Sequence, residues 1–332
     1  MIFLVTGAAG FIGSNFVDYL LTDERNDIFA IDNLDDFYSS DIKKENCRLF
    51  QNHPRVHFEK LDINETEAFQ RSVSRFLKCR NALSKRRIHI IHFAARPGVA
   101  QSFTTPDLTN KSNVIGTRSV LHIAKIIGAS TFIFASSSSV YGKLGSVPFH
   151  EDLNLGEPMS PYAASKVEGE ILCSSFAMEN KNCSVRVLRF FTVYGNRQRP
   201  DMAITKFART AISNQQIVLY NNGNNYRDFT HVNDIVEGIH LVIKGSIAGF
   251  GVFNIGSGGS IKLEKLANLV VNHLASKSKV IKQKAIKGDM IRTQADISKV
   301  KKLGYAPRIF IEKGVKTFLD EYLSARVIEA EN

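Results

Sequence analysis

Apolar residues in this chain fall into short continuous runs separated by stretches with helical spacing. Ile2-Phe3-Leu4-Val5-Thr6 shows no polar alternation, which suits a parallel strand buried on both faces. Comparable runs at 28–32, 56–60, 88–93, 131–135, 185–191 and 252–255 read as further strands. Helical patterns lie between them, near 11–22, 65–80, 112–127 and 161–179. This alternation predicts an α/β fold, a doubly wound parallel sheet with helices on both faces. After about residue 195 the alternation fades and Gly, Asn and Pro become frequent, with helices expected near 203–213, 233–244, 262–275 and 310–323. The expected division is a sheet domain over 1–180, with returns near 185–195 and 232–255, and a smaller, mixed C-terminal lobe over 196–231 and 256–325.

The first strand runs directly into Gly7-Ala8-Ala9-Gly10-Phe11-Ile12-Gly13 and then into a helical pattern through Phe16, Val17, Leu20 and Leu21. Strand, glycine turn and helix in that order form a phosphate cradle of the Rossmann type. The glycines let the backbone approach a pyrophosphate, and the helix N-terminus faces its charge. The next strand ends in Asp32, about 20 residues past the glycines, where an acid accepts a hydrogen bond from a ribose 2′-OH and repels a 2′-phosphate. No arginine follows in Asn33-Leu34-Asp35-Asp36, which favours NAD over NADP.

Chemistry enters with Tyr162-Ala163-Ala164-Ser165-Lys166, which puts a phenol and an ammonium on one helix face a turn apart. A tyrosine normally loses its proton near pH 10, and a neighbouring cation favours the phenolate and lowers that value. Such a pair can take a proton from a sugar hydroxyl while NAD takes the hydride. Phe132-Ile133-Phe134-Ala135 ends in Ser136-Ser137-Ser138-Ser139-Val140-Tyr141-Gly142, and ligands of open parallel sheets bind at carboxyl strand ends. Ser137 is thereby placed to hydrogen-bond the reacting oxygen while Tyr162 handles its proton.

Composition narrows the class without changing it. The 332 residues are 44% hydrophobic and 23% charged, ordinary for a water-soluble enzyme. A strand starting at residue 2 leaves no room for a signal peptide, and no apolar run approaches the roughly 18 residues of a membrane span. Cys47, Cys79, Cys173 and Cys183 lack metal-like spacing and read as reduced thiols, so a cytoplasmic protein without a metal is expected. The net charge of +11 is concentrated at 277–287 and 299–302. A solvated basic surface accounts for it most simply, with steering of an anionic sugar nucleotide next. No nucleic-acid motif is present, and none is expected to bind.

The glycine turn, Asp32, His92-Phe93-Ala94-Ala95, the serine-rich strand end and Tyr162-x-x-x-Lys166 together resemble an extended short-chain dehydrogenase/reductase over about 1–323. Arg189-Phe190-Phe191-Thr192-Val193-Tyr194-Gly195, Arg199-Pro200-Asp201-Met202-Ala203 and Tyr226-Arg227-Asp228-Phe229-Thr230 resemble the UDP-glucuronate 4-epimerases within that superfamily. Departures are Asn196, where many relatives have proline, and Arg96-Pro97-Gly98, where relatives often carry other residues. The resemblance implies NAD held by Gly7, Gly10, Phe11, Ile12 and Gly13, by Asp32 and Asn33, by Asp62 and Ile63, and by Ala94, Ala95 and Lys166. It implies catalysis by Ser137, Tyr162 and Lys166, and sugar contacts from Ser138. It further assigns Thr192 and Arg199 to a sugar carboxylate, Tyr220 to the uracil, and Arg227 and Arg292 to the pyrophosphate.

The implied reaction is epimerisation at C4 of a UDP-sugar, UDP-glucuronate to UDP-galacturonate, through a 4-keto intermediate. Related 4,6-dehydratases and UDP-glucuronate decarboxylases carry acids in the strand-end motif, and here those positions are Ser138 and Ser139. Oxidation at C4 of a uronic acid makes a β-keto acid, so the carboxylate must be held out of line with the ketone. The alternatives are a UDP-glucose or UDP-N-acetylglucosamine 4-epimerase, a UDP-glucuronate decarboxylase, and a redox-sensing NAD-binding module, which commonly lacks the Tyr/Lys pair. The resemblance also implies a homodimer formed through 112–127 and 161–179.

Overall fold

The apolar run Ile2–Thr6 (β1) is buried throughout and lies inside a seven-stranded sheet. Asp27–Asp32 (β2), Val56–Lys60 (β3), Ile88–His92 (β4), Thr131–Ser137 (β5) and Ser184–Phe190 (β6) follow in the chain. The spatial order is Gly249–Ile255, β6, β5, β4, β1, β2, β3. The pairings of β1 with β2 and β4, of β2 with β3 and of β4 with β5 are parallel. The order in which successive strands are added reverses between β1 and β4, the switch point where such folds bind ligands. This is a computed structural model, and it describes residues 1–80, 87–144, 147–245, 248–285, 288 and 290–331. The strands sit within two residues of the ranges expected from the apolar runs, apart from the last, which begins earlier, at Gly249.

The chain forms two units. The first comprises Met1–Lys143, Asn154–Arg189 and Ile239–Phe253. Its core joins Ile2, Leu4, Phe29 and Ile90 of the strands to Phe69, Val73, Val120 and Ile123 of the helices Thr66–Cys79 and Gly116–Ile126. The second comprises Leu144–Leu153, Phe190–Gly238 and Asn254–Asn332. Its core gathers Ile204, Phe207, Leu266, Val270, Val315 and Leu319 from three helices around Tyr194 and Phe229. Three two-stranded pairings complete this unit: Thr192–Tyr194 with Phe229–His231, Ile217–Leu219 with Val280–Lys282, and Tyr226–Arg227 with Ile261–Lys262.

Helix Pro161–Glu179 carries the Tyr/Lys pair, and its start is set locally. Ser160 caps it by accepting from the Ala163 N–H, and Pro161 occupies the first turn, where its missing N–H costs nothing. Gly169, midway along, lets the helix settle on Phe134 of β5. In the basic stretch Lys282 pairs with Glu264, which also holds Lys262, while Lys287 lies outside the described residues. Among the described residues no helix is long and apolar enough to cross a membrane.

A Cβ on Gly169 would lie 2.3 Å from the Phe134 ring. Gly169→Ala must therefore push the helix off the sheet, and a loss of about 1–3 kcal/mol in urea unfolding is expected.

Candidate active site

At the carboxyl end of β1 the backbone turns sharply. Gly7 has φ +71°, and a Cβ there would meet the Ala94 backbone nitrogen at 2.6 Å. A Cβ on Gly13 would lie 2.1 Å from the Gly7 carbonyl oxygen. Neither position tolerates a side chain, so the turn stays bare. Helix Phe11–Leu21 begins there with no side-chain cap, which leaves its first N–H groups to an external anion. Asn46 braces the turn from outside by donating to the Ala9 carbonyl at 2.9 Å.

Asp32 ends β2 and is nearly buried. It accepts from the Ala9 N–H at 3.0 Å and the Leu34 N–H at 2.8 Å. Burial raises its pKa, although Lys43 and those two N–H groups oppose the rise. Asp62 is held by Asn33 Nδ2 at 3.1 Å and by Asn64. Burial pushes the Asp62 carboxyl up, but these donors outweigh it and hold it below the usual range. Ile63 lies beneath, against Gly116. A bare turn, an open helix end and an acid at the end of β2 fit a dinucleotide whose ribose keeps its 2′-OH.

The Tyr/Lys pair sits beside β5. Lys166 is buried, donates from Nζ to the Ala135 carbonyl at 2.9 Å, and lies 5.9 Å from the Tyr162 ring centroid. Burial pushes its pKa down to about 8, against the pull of Cys173 and Glu170. The ammonium is therefore still mostly charged at neutral pH. Ser137 caps the 3-10 turn Ser138–Tyr141 by accepting from the Ser139 N–H at 3.2 Å. Behind it Ser136 donates to Glu170, whose carboxylate also takes Arg189 Nε at 3.0 Å and Nη2 at 2.7 Å.

Asn113 belongs to the site although no motif marks it. The helical run before Gly116 contains a π turn, Lys111–Ile115, which turns the Asn113 side chain inward. Its Oδ1 accepts from the Arg96 N–H at 2.7 Å, and its Nδ2 donates to the Arg96 carbonyl and to Ser165 Oγ. Ser165 in turn donates to the Tyr162 carbonyl at 2.8 Å. An added residue in a helix has no periodicity signature, so only the buried amide in 112–127 hinted at it.

His92 completes this network, and its tautomer follows from its neighbours. Thr117 Oγ1 donates to the Asn113 carbonyl at 2.6 Å, so it must accept from His92 Nε2 at 2.9 Å. His92 Nδ1 is then the acceptor for Thr6 Oγ1 at 2.7 Å. Thr6 and His92 face each other in the β1–β4 register. Burial and, less, the Lys166 charge push the His92 pKa down to about 3.

In the second unit, Thr192 donates its N–H to the Asp228 carbonyl at 2.9 Å. Arg199 is held by Asp201 in a two-bond fork at 2.9 and 3.0 Å. Arg227 and Arg292 come together around Tyr226. Arg227 donates to the Tyr226 carbonyl at 2.8 Å, and the Arg292 guanidinium lies 5.5 Å over the Tyr226 ring. The Asp228 carboxylate faces away from them and accepts from Ser257, Gly258, Ala295 and Thr230. Tyr220 is 39% exposed, at the start of the turn Asn221–Gly223. Among the described residues no cluster of His, Cys, Asp and Glu could hold a metal ion.

The sequence profile of the NAD dependent epimerase/dehydratase family matches residues 3–256. A UDP-glucuronate 4-epimerase from Thermodesulfobacterium geofontis is 34% identical over 316 residues, 95% of this chain and 94% of that protein. The crystal structure of UDP-glucuronic acid 4-epimerase from Bacillus cereus, in complex with UDP-glucuronic acid and NAD, superposes with TM-score 0.87 at 30% identity, covering 96% of this chain and 98% of that one. A dTDP-glucose 4,6-dehydratase from Streptomyces venezuelae with NAD bound gives TM-score 0.87 at 29% identity, covering 98% of each chain.

Two buried histidines make stability depend on pH. His89, stacked on Phe3 at 5.0 Å, is pushed down to about 4 by burial, as His92 is to about 3. Unfolded, both titrate near 6.5, so below that pH the unfolded chain binds protons the folded one refuses. Stability therefore falls as pH drops from about 6.5 towards 4, each imidazole adding a slope of up to about 1.4 kcal/mol per pH unit. His89→Leu should flatten that slope in urea unfolding at pH 7, 6 and 5.

Proposed function

The chain belongs to the NAD dependent epimerase/dehydratase family, and we propose that within it this NAD-dependent nucleotide-sugar epimerase inverts C4 of UDP-glucuronate to give UDP-galacturonate. The observation that carries the reading is the end of β5, where Ser137, Ser138 and Ser139 stand and no acid does. Elimination of water across C5 and C6 needs a carboxyl group beside the sugar, whereas inversion at C4 needs only a base for the hydroxyl proton. The Glu170 carboxylate, which is bound to this strand, is engaged by Arg189 and Ser136.

NAD at the glycine turn supplies the acceptor that oxidises C4 and the donor that reduces it again. Tyr162 takes the C4 hydroxyl proton as phenolate and later returns it. The buried Lys166 ammonium favours that phenolate, and its remaining donors serve the nicotinamide ribose. Ser137 hydrogen-bonds the C4 oxygen. The Gly7–Gly13 turn, Asp32, Asn33, Asp62, Ile63, Ala94 and Ala95 hold the dinucleotide. In the second unit we assign Arg227 and Arg292, gathered around Tyr226, to the UDP pyrophosphate, and Tyr220 to the uracil. Arg199, already oriented by Asp201, offers a planar match for the uronic carboxylate, with Thr192 assigned to the same group and Ser138 to the sugar. The cysteines are free thiols, consistent with the reducing cytoplasm we infer as its compartment.

We also infer a homodimer. Ile171 and Met178, 60% and 72% exposed, stand two turns apart on helix Pro161–Glu179. Ile115 and Ile126 are exposed along the neighbouring helical segments, which are tied to that helix by Arg118–Glu168 and Lys125–Glu179. Apolar stripes of this kind suit a self-complementary contact.

Four measurements test these readings. Incubation with UDP-glucuronate, UDP-glucose and UDP-N-acetylglucosamine separately, followed by NMR, should give UDP-galacturonate from the first alone. Carbon dioxide release would assign the protein to decarboxylation, and no product from any sugar would sink the epimerase reading. Tyr162→Phe should cost about a thousandfold in turnover with binding retained. Arg199→Ala should cost roughly tenfold to a hundredfold in kcat/KM for UDP-glucuronate. Ile171→Glu with Met178→Glu should yield a monomer in sedimentation velocity.

A further inference from the structure

Arg96 lies in the loop after β4, and the reaction described above gives it no task. Its backbone is fixed on both sides by the Asn113 amide. Its guanidinium reaches the loop after β2, where Nη1 donates to Asp35 Oδ2 at 2.7 Å and the cation lies 5.6 Å over the Phe37 ring. That side is equally well anchored. Asp35 takes its own N–H to Asn33 Oδ1 at 3.0 Å, its other carboxylate oxygen accepts from the Phe37 N–H at 2.8 Å, and its carbonyl accepts from Lys43. The loops touch again at Gly98, where a Cβ would lie 3.1 Å from the Phe37 ring.

The strand order supplies the geometry. β4 and β2 flank β1 on either side, and all three run parallel. The Arg96–Asp35 bridge therefore spans the full width of β1 at the carboxyl end, where the glycine turn begins. One feature is left over: Arg96 Nε is buried and has no partner among the described residues. A desolvated charged donor without an acceptor costs about 1–3 kcal/mol or more, a cost that the bridge and the Phe37 contact must offset.

We propose that Arg96 and Asp35 form a strap that closes over the bound dinucleotide, and that this strap sets how slowly NAD is lost. The chemistry of the family makes this useful. A dehydrogenase must exchange its cofactor at each turnover, whereas an epimerase ends each cycle with the cofactor it began with. A strap that slows escape therefore leaves turnover untouched. The inference rests on NAD being the cofactor and not on which sugar is bound.

The test needs no sugar. The unaltered protein, Arg96→Gln, Asp35→Asn and the double variant are loaded with radiolabelled NAD, diluted into excess unlabelled NAD, and sampled over time by rapid desalting. Circular dichroism and thermal unfolding confirm that each is folded. Each single change should speed NAD loss about tenfold or more, and the double variant should lose it no more than about threefold faster than the worse single. If both single variants release NAD within twofold of the unaltered protein, the strap does not exist. If the two effects multiply in the double variant, the residues act separately and the strap is equally refuted. A protein that retained NAD through this pair yet failed to convert UDP-glucuronate would overturn only the substrate.

Discussion

Glu170 lies one helical turn past Lys166 and is buried. Its two oxygens take both bonds of the Arg189 fork and the Ser136 hydroxyl, so one carboxylate ties the reacting helix to β5 and β6 at once. Removing one member of such a pair strands a buried charge, at a cost of about 3–5 kcal/mol. The Arg189 guanidinium also lies 4.9 Å over the Tyr141 ring, at the end of the serine turn. Neighbouring strand residues point to opposite faces. With Ser136 drawn under the helix, Ser137 must turn outward, and Lys166 is carried to the Ala135 carbonyl on the same strand. The relative placement of hydroxyl, phenol and ammonium thus rests on an ion pair that never meets the substrate.

A second buried network fixes the other side. From the Ala94 N–H, hydrogen bonds run through Thr6, His92 and Thr117 to the Asn113 carbonyl. The Asn113 amide continues through Ser165 to the Tyr162 backbone. Each hydroxyl both accepts and donates, which leaves a neutral imidazole as the one species that satisfies every group. This matters chemically, because an imidazolium there would add a second positive charge near Lys166. Thr6 and Ala94 border the glycine turn, so the cofactor cradle and the tyrosine share one rigid set of bonds.

The second unit solves a different problem. Its short strands hold polar residues whose positions depend on backbone contacts rather than on a sheet. Asp228 gathers N–H groups from Ser257, Gly258 and Ala295, which organises the segment leading to Arg292. Arg227, next in sequence and opposite in direction, is left on the face with Tyr226 and Arg292. Two arginines around one aromatic ring form a concentrated positive site, built without any helix N-terminus.

The parallel sheet, the bare glycine turn, Asp32 at the end of β2 and the Tyr/Lys pair are legible in the pattern of the chain alone. Each depends on local chemistry: apolar runs buried on both faces, glycines where a Cβ would collide, and a helical spacing of four. Helix Ser40–Arg48 escaped that reading because its apolar content is slight, and its burial comes from Lys43, Asn46 and Cys47 meeting the rest of the fold. The strands of the second unit are two or three residues long, too short for any periodicity. The inward turn of Asn113, the His92 tautomer, the Glu170–Arg189 pair and the Arg96–Asp35 bridge were decided only by the tertiary structure. Each joins residues between 17 and 86 positions apart, and a hydrogen bond or ion pair between distant groups leaves no mark on the pattern of either segment alone.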